Sequence, residues 1–377
     1  MKTKTINLVK RVIKSDLISG SAYLFIGGFV GSTIAFLFNL FLVRSLSPVE
    51  YGVYAVLLAF ITLETIPAQS LTAVIVRFAV DYFAKEEMEK AARLYFKMFK
   101  GFLLFSLLLF ILSVIVSAPL AGFLKIDNIY YIWLIGLIVA IYYLSVVNMA
   151  FLQSLLKFRY ISSLLVTGSF SRLFFGIVLV LIGLKIWGAI GAIFFSAIIP
   201  FFLGFRPLLF LIRQKKSKDV VVPTGEIIRY AVPTSISILA LVSLTSTDVI
   251  LVKHFLSPYQ AGLYGGLSLI GKVIFYFSAP IGSVMFPLVA KRHTQGAPFA
   301  NLFYLALLII LLPSILITGF YFIFPSIAIN FFLGGGEYLR LIPYLGIFGV
   351  FIALFGILNI FLSFFLSIKK TFVAYFT

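Results

Sequence analysis

The chain alternates between long apolar segments with few charges and short polar segments that carry most of the charges. Ten apolar segments reach about 20 residues or more, the length an α-helix needs to cross a ~30 Å bilayer core. They cover approximately 17–43, 51–76, 101–124, 129–152, 161–184, 187–211, 230–252, 261–290, 299–325 and 341–367. This pattern predicts an all-α, polytopic transmembrane helical bundle of about ten spans.

Composition supports the same interpretation. The chain is 62% hydrophobic and 11% charged, whereas soluble domains average roughly 25% charged residues. Cysteine is absent, so no disulfide framework is expected. The first apolar segment, 17–43, is too long for a signal-peptide core, and we expect it to be a retained span.

The basic residues predict the orientation. Of the 30 Lys and Arg residues, 23 fall in the N-terminal segment and in alternate polar segments after it, while five fall in the intervening ones. This asymmetry predicts a multi-pass protein of the cell membrane with both termini in the cytoplasm. The net charge of +18 is accounted for by topology, and we expect no nucleic-acid partner.

One nine-residue pattern, L-S-P-x-x-x-G-x-Y, occurs twice at an offset of 210 residues. Each copy lies between two apolar segments, which indicates two homologous halves. The copies are six spans apart, so the halves should be parallel. Proline is expected to stop one helix and glycine to let the chain turn into the next. The repeated positions are Leu46, Ser47, Pro48, Gly52 and Tyr54, and Leu256, Ser257, Pro258, Gly262 and Tyr264.

The repeat sets the expected domain limits. Residues 1–212 form a first half of six spans, 213–229 a cytoplasmic linker, and 230–377 a second half of four spans. By symmetry the second half is incomplete, with two spans missing. The charged segment 85–90 is expected to form an amphipathic surface helix.

The sequence around both repeats resembles a known family. The relevant residues are F-L-V-R-S-L-S-P-V-E-Y-G-V-Y over 41–54, T-D-V-I-L-V-K-H-F-L-S-P-Y-Q-A-G-L-Y over 247–264, and Phe286-Pro287. The chain resembles the polysaccharide-biosynthesis (Wzx-type, O-antigen) flippases of the multidrug/oligosaccharidyl-lipid/polysaccharide exporter superfamily. The resemblance implies two helical bundles around a central cavity. It also implies a lipid-linked oligosaccharide as cargo, with membrane lipids and other polysaccharide-assembly proteins as partners.

Four ionisable residues lie inside the predicted spans: Glu64, Arg172, Asp248 and Lys272. Such residues are costly in a bilayer and usually face a cavity or a charged partner. A guanidinium can clamp a phosphate with two parallel hydrogen bonds, and an ammonium attracts one as a point charge. Arg172 and Lys272 are therefore candidate substrate-binding residues. Glu64 and Asp248 would neutralise these cations or bind a coupling cation such as Na⁺ or H⁺. Structural ion pairs, or bonds from Arg172 to backbone carbonyls or to Asn148 or Gln153, are the alternative.

Residues near the span ends are expected to anchor the helices. Long cationic side chains there can reach the membrane interface; this group comprises Arg44, Arg77 and Lys253. His254 and His293 each lack a second ligand at suitable spacing, so we expect no metal site.

Three functions remain open from the sequence. The leading one is a flippase that works by alternating access, and kinks at Pro67 and Pro280 would suit its moving spans. The second is a cation-coupled small-molecule or multidrug exporter of the same superfamily. The third is a polytopic polysaccharide-processing membrane enzyme. The short polar segments leave no room for a catalytic domain, so we expect no enzymatic activity.

Overall fold

The computed structural model describes residues 2–214, 224–275 and 298–368, together with positions 281, 285, 288, 289, 292, 293 and 295. These residues form helices and short turns, with no strand among them, so the all-α prediction is confirmed. The helices are α1 (Lys2–Ser45), α2 (Pro48–Glu64), α3 (Ile66–Ala84), α4 (Met88–Leu124), α5 (Tyr130–Ser154), α6 (Phe158–Leu179), α7 (Lys185–Phe205), α8 (Leu209–Ile212), α9 (Thr224–Phe255), α10 (Pro258–Gly271), α11 (Ala300–Ile323), α12 (Pro325–Leu333) and α13 (Ile342–Ser367).

Seven stretches within the described residues are long and apolar enough to span a membrane. One of them, Phe158–Leu211, holds both α6 and α7. Between these helices Gly183 has φ +94, a backbone conformation that glycine adopts without strain. The predicted span 230–252 lies within α9, and the span 261–290 begins in α10 and continues past residue 275, outside the described residues. The protein is a multi-pass membrane protein.

The helices cluster into two compact units that do not follow the chain order. Unit 1 comprises Met1–Leu42 and Val56–Ile250, and unit 2 comprises Val43–Ala55 and Leu251–Thr377. The predicted halves, 1–212 and 230–377, were defined by the repeat in the sequence. The two units are instead defined by which residues pack together. Of the predicted linker 213–229, residues 215–223 lie outside the described part, and residues from Thr224 onward are already helical in α9.

Helix α5 forms the centre of unit 1, where it packs against α3, α4 and α7. Apolar side chains occur on every face of this helix, and most of its residues are buried. Two glycines of unit 1 allow neighbouring helices to pack closely. Gly136 of α5 lies against Ser113 of α4, and Gly176 of α6 lies against the ring of Phe38 of α1. Small residues at such crossings are the usual means of packing helices in a membrane.

Unit 2 is built around α10, α11, α12 and α13, which contact one another. The Tyr321 hydroxyl on α11 donates a hydrogen bond to the carbonyl of Ile270 on α10, at 2.7 Å. Gly271 at the end of α10 lies against the ring of Phe348 on α13. A buried tyrosine needs such a partner, because an unsatisfied hydroxyl costs free energy in an apolar interior.

Both copies of the repeated pattern start a helix in the same way. Ser47 precedes α2, where Glu50 Oε2 accepts from the Ser47 amide at 2.9 Å and Ser47 Oγ accepts from the Glu50 amide at 3.3 Å. Ser257 and Gln260 make the corresponding pair of bonds at the start of α10, at 3.1 and 3.2 Å. Each is a capping box with proline at the first helical position.

The expected roles of proline and glycine in the pattern were wrong. Pro48 and Pro258 begin the following helix instead of ending the preceding one, because a first-turn position needs no amide donor. Gly52 and Gly262 lie inside α2 and α10, where they permit a close helix contact.

Two other local expectations had different outcomes. Residues 85–87 form a turn between α3 and α4, with φ +57 at Glu86, so the surface helix predicted at 85–90 is wrong for its first half, while residues 88–90 begin α4. The kink expected at Pro67 is present as a break at Thr65, because proline has no amide proton for the i−4 carbonyl and its ring clashes with that carbonyl. The corresponding helix α10 ends at Gly271, and Pro280 lies outside the described residues.

Candidate functional site

The first candidate site is a cavity of about 430 Å³ within unit 1, which we call the arginine cavity. It lies between α3, α5, α6 and α7. Among the residues that the structure describes, Arg172 of α6 is the one charged member of its lining, and none of them is a carboxylate. The lining residues are Thr65, Ala68, Thr72, Tyr142, Ser145, Val146, Met149, Leu164, Leu165, Gly168, Ser169, Arg172, Ser196, Ala197 and Pro200. The volume falls within the range of ordinary small-ligand pockets.

Arg172 is half-buried, and its Nε atom is shielded from solvent. The guanidinium carbon lies 5.2 Å from the centre of the Phe38 ring on α1. A cation over an aromatic face is stabilised where water is excluded. The ring therefore holds the side chain in place while the residue still lines the cavity.

Asn148 does not appear among the cavity residues, and its own bonds are directed elsewhere. Its Oδ1 accepts a hydrogen bond from the Tyr95 hydroxyl at 2.7 Å, and its Nδ2 donates to the carbonyl of Phe201 at 3.3 Å. This buried group links α4, α5 and α7. It acts as interhelical polar packing in unit 1.

Hydroxyl groups supply the remaining polar surface of the arginine cavity. The hydroxyls of Thr72, Ser145 and Ser196 donate to carbonyls of their own helices, at 3.1, 2.8 and 2.7 Å. A hydroxyl that donates to its own helix keeps its oxygen lone pairs as acceptors. The described lining thus combines the Arg172 cation with several neutral polar groups.

Glu64 lies in a second cavity of unit 1, of about 270 Å³, which we call the glutamate cavity. It lies between α2, α4 and α5, and its walls are mainly Leu, Ile and Val. The Tyr143 hydroxyl, also in the lining, donates to the backbone carbonyl of Glu64 at 2.9 Å. The lining residues are Leu57, Phe60, Glu64, Leu109, Leu112, Ser113, Val116, Leu120, Leu124, Ile132, Ile135, Gly136, Val139 and Tyr143.

The break after α2 assigns neighbouring residues to different cavities. Glu64 lines the glutamate cavity, while Thr65 lines the arginine cavity. Glu64 and Arg172 therefore share neither lining, although they are the two predicted charges of the first half. The structure does not bring this pair together in one cavity.

The two remaining predicted charges belong to different units. Asp248 is half-buried on α9 in unit 1, with its Oδ1 atom shielded from solvent. Lys272 is half-buried in unit 2, at the position where α10 ends. It is the C-terminal cap of α10, and residues 273–275 after it are again helical.

Lys253 was predicted to reach the membrane interface, and this is wrong, because its side chain is 0% exposed.

Arg44 is exposed, but it also has a specific partner within unit 2. Its Nε donates to the carbonyl of Phe332 at 3.3 Å, and its Nη2 donates to that of Phe331. These carbonyls lie at the C-terminal end of α12, where a cation is favoured by the helix dipole.

The two copies of the repeated pattern meet each other in unit 2. A Cβ added to Gly52 would lie 2.8 Å from the Gly262 amide nitrogen, and one added to Gly262 would lie 1.7 Å from the Pro48 carbonyl oxygen. Gly52 and Gly262 occupy the same position of the pattern. Equivalent positions meet each other when two repeats are related by a twofold axis. The pattern of identical residues does not include Glu50 and Gln260. These two residues differ in type, but each accepts a hydrogen bond from the amide of the capping serine.

Similar proteins were found by sequence. An uncharacterized membrane protein of Methanocaldococcus jannaschii is 25% identical over 226 residues, which covers 56% of this chain and 54% of the relative. The chain thus spans about half the length of this relative.

Similar folds were found among solved structures. A multidrug resistance MATE family transporter of the MOP superfamily in an inward-facing conformation matches with a TM-score of 0.74 at 15% identity, covering 91% of this chain and 82% of its own. The lipid II flippase MurJ in an inward closed conformation matches with a TM-score of 0.71 at 16% identity, covering 94% and 77%. A MOP superfamily transporter from Pyrococcus furiosus gives 0.52 at 15% identity, covering 97% of both chains. These likenesses establish the MOP transporter fold.

The sequence model of one protein family, described as "Polysaccharide biosynthesis protein", matches residues 17–293. The matched range includes both copies of the repeated pattern. This agrees with the resemblance inferred from residues 41–54 and 247–264. The chain belongs to the polysaccharide biosynthesis protein family, and it has the fold of the MOP superfamily transporters.

Proposed function

We propose that this protein flips a lipid-linked oligosaccharide from the cytoplasmic to the outer leaflet of the cell membrane by alternating access. The family membership and the fold shared with a lipid II flippase support this proposal. Both termini face the cytoplasm in this scheme, and other polysaccharide-assembly proteins supply or consume the cargo. The protein changes the position of its cargo without breaking a bond, so it is not an enzyme.

The observation that carries the proposal is Arg172 in the arginine cavity. An anionic phosphate that enters a bilayer core needs a cation partway, because an isolated charge there costs about 2.5–3.5 kcal/mol or more. Arg172 can offer two parallel hydrogen bonds to phosphate oxygens. No carboxylate stands among the described lining residues. The hydroxyls of Thr72, Ser145 and Ser196 donate to their own helices, so their lone pairs can accept hydrogen bonds from sugar hydroxyls.

The other predicted charges take revised roles in this scheme. Lys272 is proposed as a separate phosphate-binding candidate, within unit 2. Asp248 binds a coupling cation such as Na⁺ or H⁺ or neutralises a cation in the empty state. Glu64 lines a different cavity from Arg172, so its role in coupling would not require direct contact with the bound phosphate.

One observation favours a second candidate, a cation-coupled exporter of small hydrophobic molecules. The described lining of the glutamate cavity is mainly apolar, with aromatic rings from Phe60 and Tyr143 and one carboxylate, that of Glu64. A lipophilic cation would find an opposite charge and aromatic faces there. This candidate predicts that function depends on Glu64 and not on Arg172.

Binding to the purified protein in nanodiscs separates the two candidates. A polyprenyl pyrophosphate carrying a short oligosaccharide should lose affinity roughly tenfold or more in Arg172→Gln, the cost of losing charge-assisted hydrogen bonds. Arg172→Lys should lose less, because it keeps the charge but not the bidentate fork. Arg159→Gln is the matched control, since Arg159 is an exposed arginine on the same helix.

The opposite pattern would refute the flippase assignment. Unchanged lipid binding in Arg172→Gln, together with binding of a lipophilic cation that Glu64→Gln abolishes, would favour the exporter.

A further inference from the structure

Helix α4 carries a row of cations on one side of its first three turns. We call this row the basic stripe; it comprises Lys90, Arg93, Lys97 and Lys100. Their spacing of three, four and three residues confines them to an arc of about 80° on a helix of 3.6 residues per turn. Lys97 and Lys100 are exposed and Arg93 is partly exposed. Lys90 pairs with Glu87 at 2.8 Å, and the two exposed lysines, Lys97 and Lys100, are the main anion-binding candidates.

The other side of the same turns is packed into unit 1. Its side chains Ala91, Leu94, Tyr95 and Met98 are buried. Helix α4 is therefore fixed in rotation, and the basic stripe must point away from the packed interior. An ordinary surface helix with a solvent-facing charged side would show the same buried and exposed sides.

The continuation of the helix distinguishes this face from an ordinary solvated one. From Gly101 to Leu124 no residue of α4 is charged. The exposed side of this segment includes Leu104, Leu108, Ile111 and Ile115, with exposed fractions of 60%, 60%, 46% and 69%. At 100° per residue these leucines and isoleucines lie along the same side of the helix as the stripe.

The length of α4 places the two parts at different depths. Its 37 residues span about 55 Å, at ~1.5 Å per residue, against an apolar bilayer core of ~30 Å. The uncharged segment accounts for the core, so the stripe lies at the level of the lipid headgroups. Lys97 and Lys100 are separated by about 4.5 Å along the axis, close enough to contact a single phosphate.

From this arrangement we infer that the outer face of α4 is a binding site for one anionic glycerophospholipid. Its phosphate contacts Arg93, Lys97 and Lys100, and its acyl chains lie along Leu104 to Ile115. Clusters of Lys and Arg next to a spanning helix attract anionic headgroups by charge. None of the stripe residues lines the arginine or the glutamate cavity, so this site does not depend on the proposed function.

The test is a lipid titration of the delipidated full-length protein by native mass spectrometry, with phosphatidylglycerol and phosphatidylcholine as probes. The triple variant Arg93→Gln/Lys97→Gln/Lys100→Gln should weaken the first phosphatidylglycerol bound by at least tenfold. Removing each cation costs roughly fivefold near a membrane surface. Binding of phosphatidylcholine should change by less than twofold.

The matched control removes the same charge elsewhere: Arg159→Gln/Arg206→Gln/Arg213→Gln, three exposed residues of unit 1. It should retain the affinity for phosphatidylglycerol within twofold. Lys97→Arg/Lys100→Arg should also retain it, which separates loss of charge from loss of folding.

Three outcomes would overturn the inference. Equal losses in both triple variants would show a general charge effect without a site. Unchanged binding in the stripe variant would show that the stripe is only solvated. Displacement of phosphatidylglycerol by an equimolar polyprenyl pyrophosphate, through the same three residues, would assign the face to the carrier lipid instead.

Discussion

The contact between the two repeated patterns gives a quantitative prediction for Gly262→Ala. The new methyl group would lie 1.7 Å from the Pro48 carbonyl oxygen and 2.3 Å from its carbon. Ordinary contacts begin near 3.4 Å, so α2 and α10 would have to separate locally. Both obstructing atoms belong to the backbone and cannot move away by side-chain rotation.

The magnitude follows from two opposing terms. Overpacking a tight contact costs about 1–3 kcal/mol, and backbone obstruction places this case at the upper end. Replacing glycine by alanine inside a helix returns up to about 1 kcal/mol. The net loss of about 2 kcal/mol corresponds to a fall in Tm of roughly 4–8 °C, at about 2–4 °C per kcal/mol.

Thermal unfolding in detergent, followed by loss of soluble monomer, measures this effect. Gly52→Ala should destabilise less, because its Cβ would lie 2.8 Å from the nearest atom. Gly319→Ala is the control within unit 2, since no atom lies within 4 Å of its added Cβ. The expected order of Tm is Gly319→Ala highest, then Gly52→Ala, then Gly262→Ala. Equal Tm values for Gly262→Ala and Gly319→Ala would refute the contact.

Three further outcomes are expected from other parts of the chain. Cysteines introduced at Ser47 and Ser257 should react with impermeant reagents only from outside the cell, and one at Arg213 only from inside; the reverse would overturn the orientation. Arg44→Gln should lower stability by about 0.3–1 kcal/mol, because α12 loses a cation at its C-terminal end; an unchanged Tm would contradict that role. Ser257→Ala should cost about 0.5–2 kcal/mol through loss of the capping box, and Ser257→Asp, which can still cap the helix, should restore much of it.

The sequence predicted the helices well because each bilayer-spanning segment must satisfy its own backbone hydrogen bonds. The repeated pattern was equally informative, since the Ser-Pro start of α2 and α10 is a local feature. The turn at 85–87 was missed because alternating charges suit a helix as well as a loop. The position of the break before Pro67 followed from proline geometry, whereas no proline explains the end of α10 at Gly271.

The side-chain environments were harder to predict. In a membrane protein, the face that packs and the face that meets lipid are both apolar, so periodicity gives little information about which residues line a cavity. The separation of Glu64 from Arg172 depends on a break of one residue, and sequence spacing gave no signal for it. Lys253 resembles an interface anchor in sequence, yet it is fully buried. The assignment of 43–55 to unit 2 likewise depends on packing between distant segments.

Headgroup translocation in proteoliposomes tests the central claim most directly. Purified protein would be reconstituted with a fluorescent polyprenyl pyrophosphate-linked oligosaccharide, and transfer between leaflets would be followed by quenching from one side. Wild-type protein and Arg159→Gln should accelerate transfer well above protein-free liposomes, whereas Arg172→Gln should lose at least nine-tenths of that activity at equal reconstitution. Equal rates for Arg172→Gln and wild-type protein, or no transfer by either, would contradict the account.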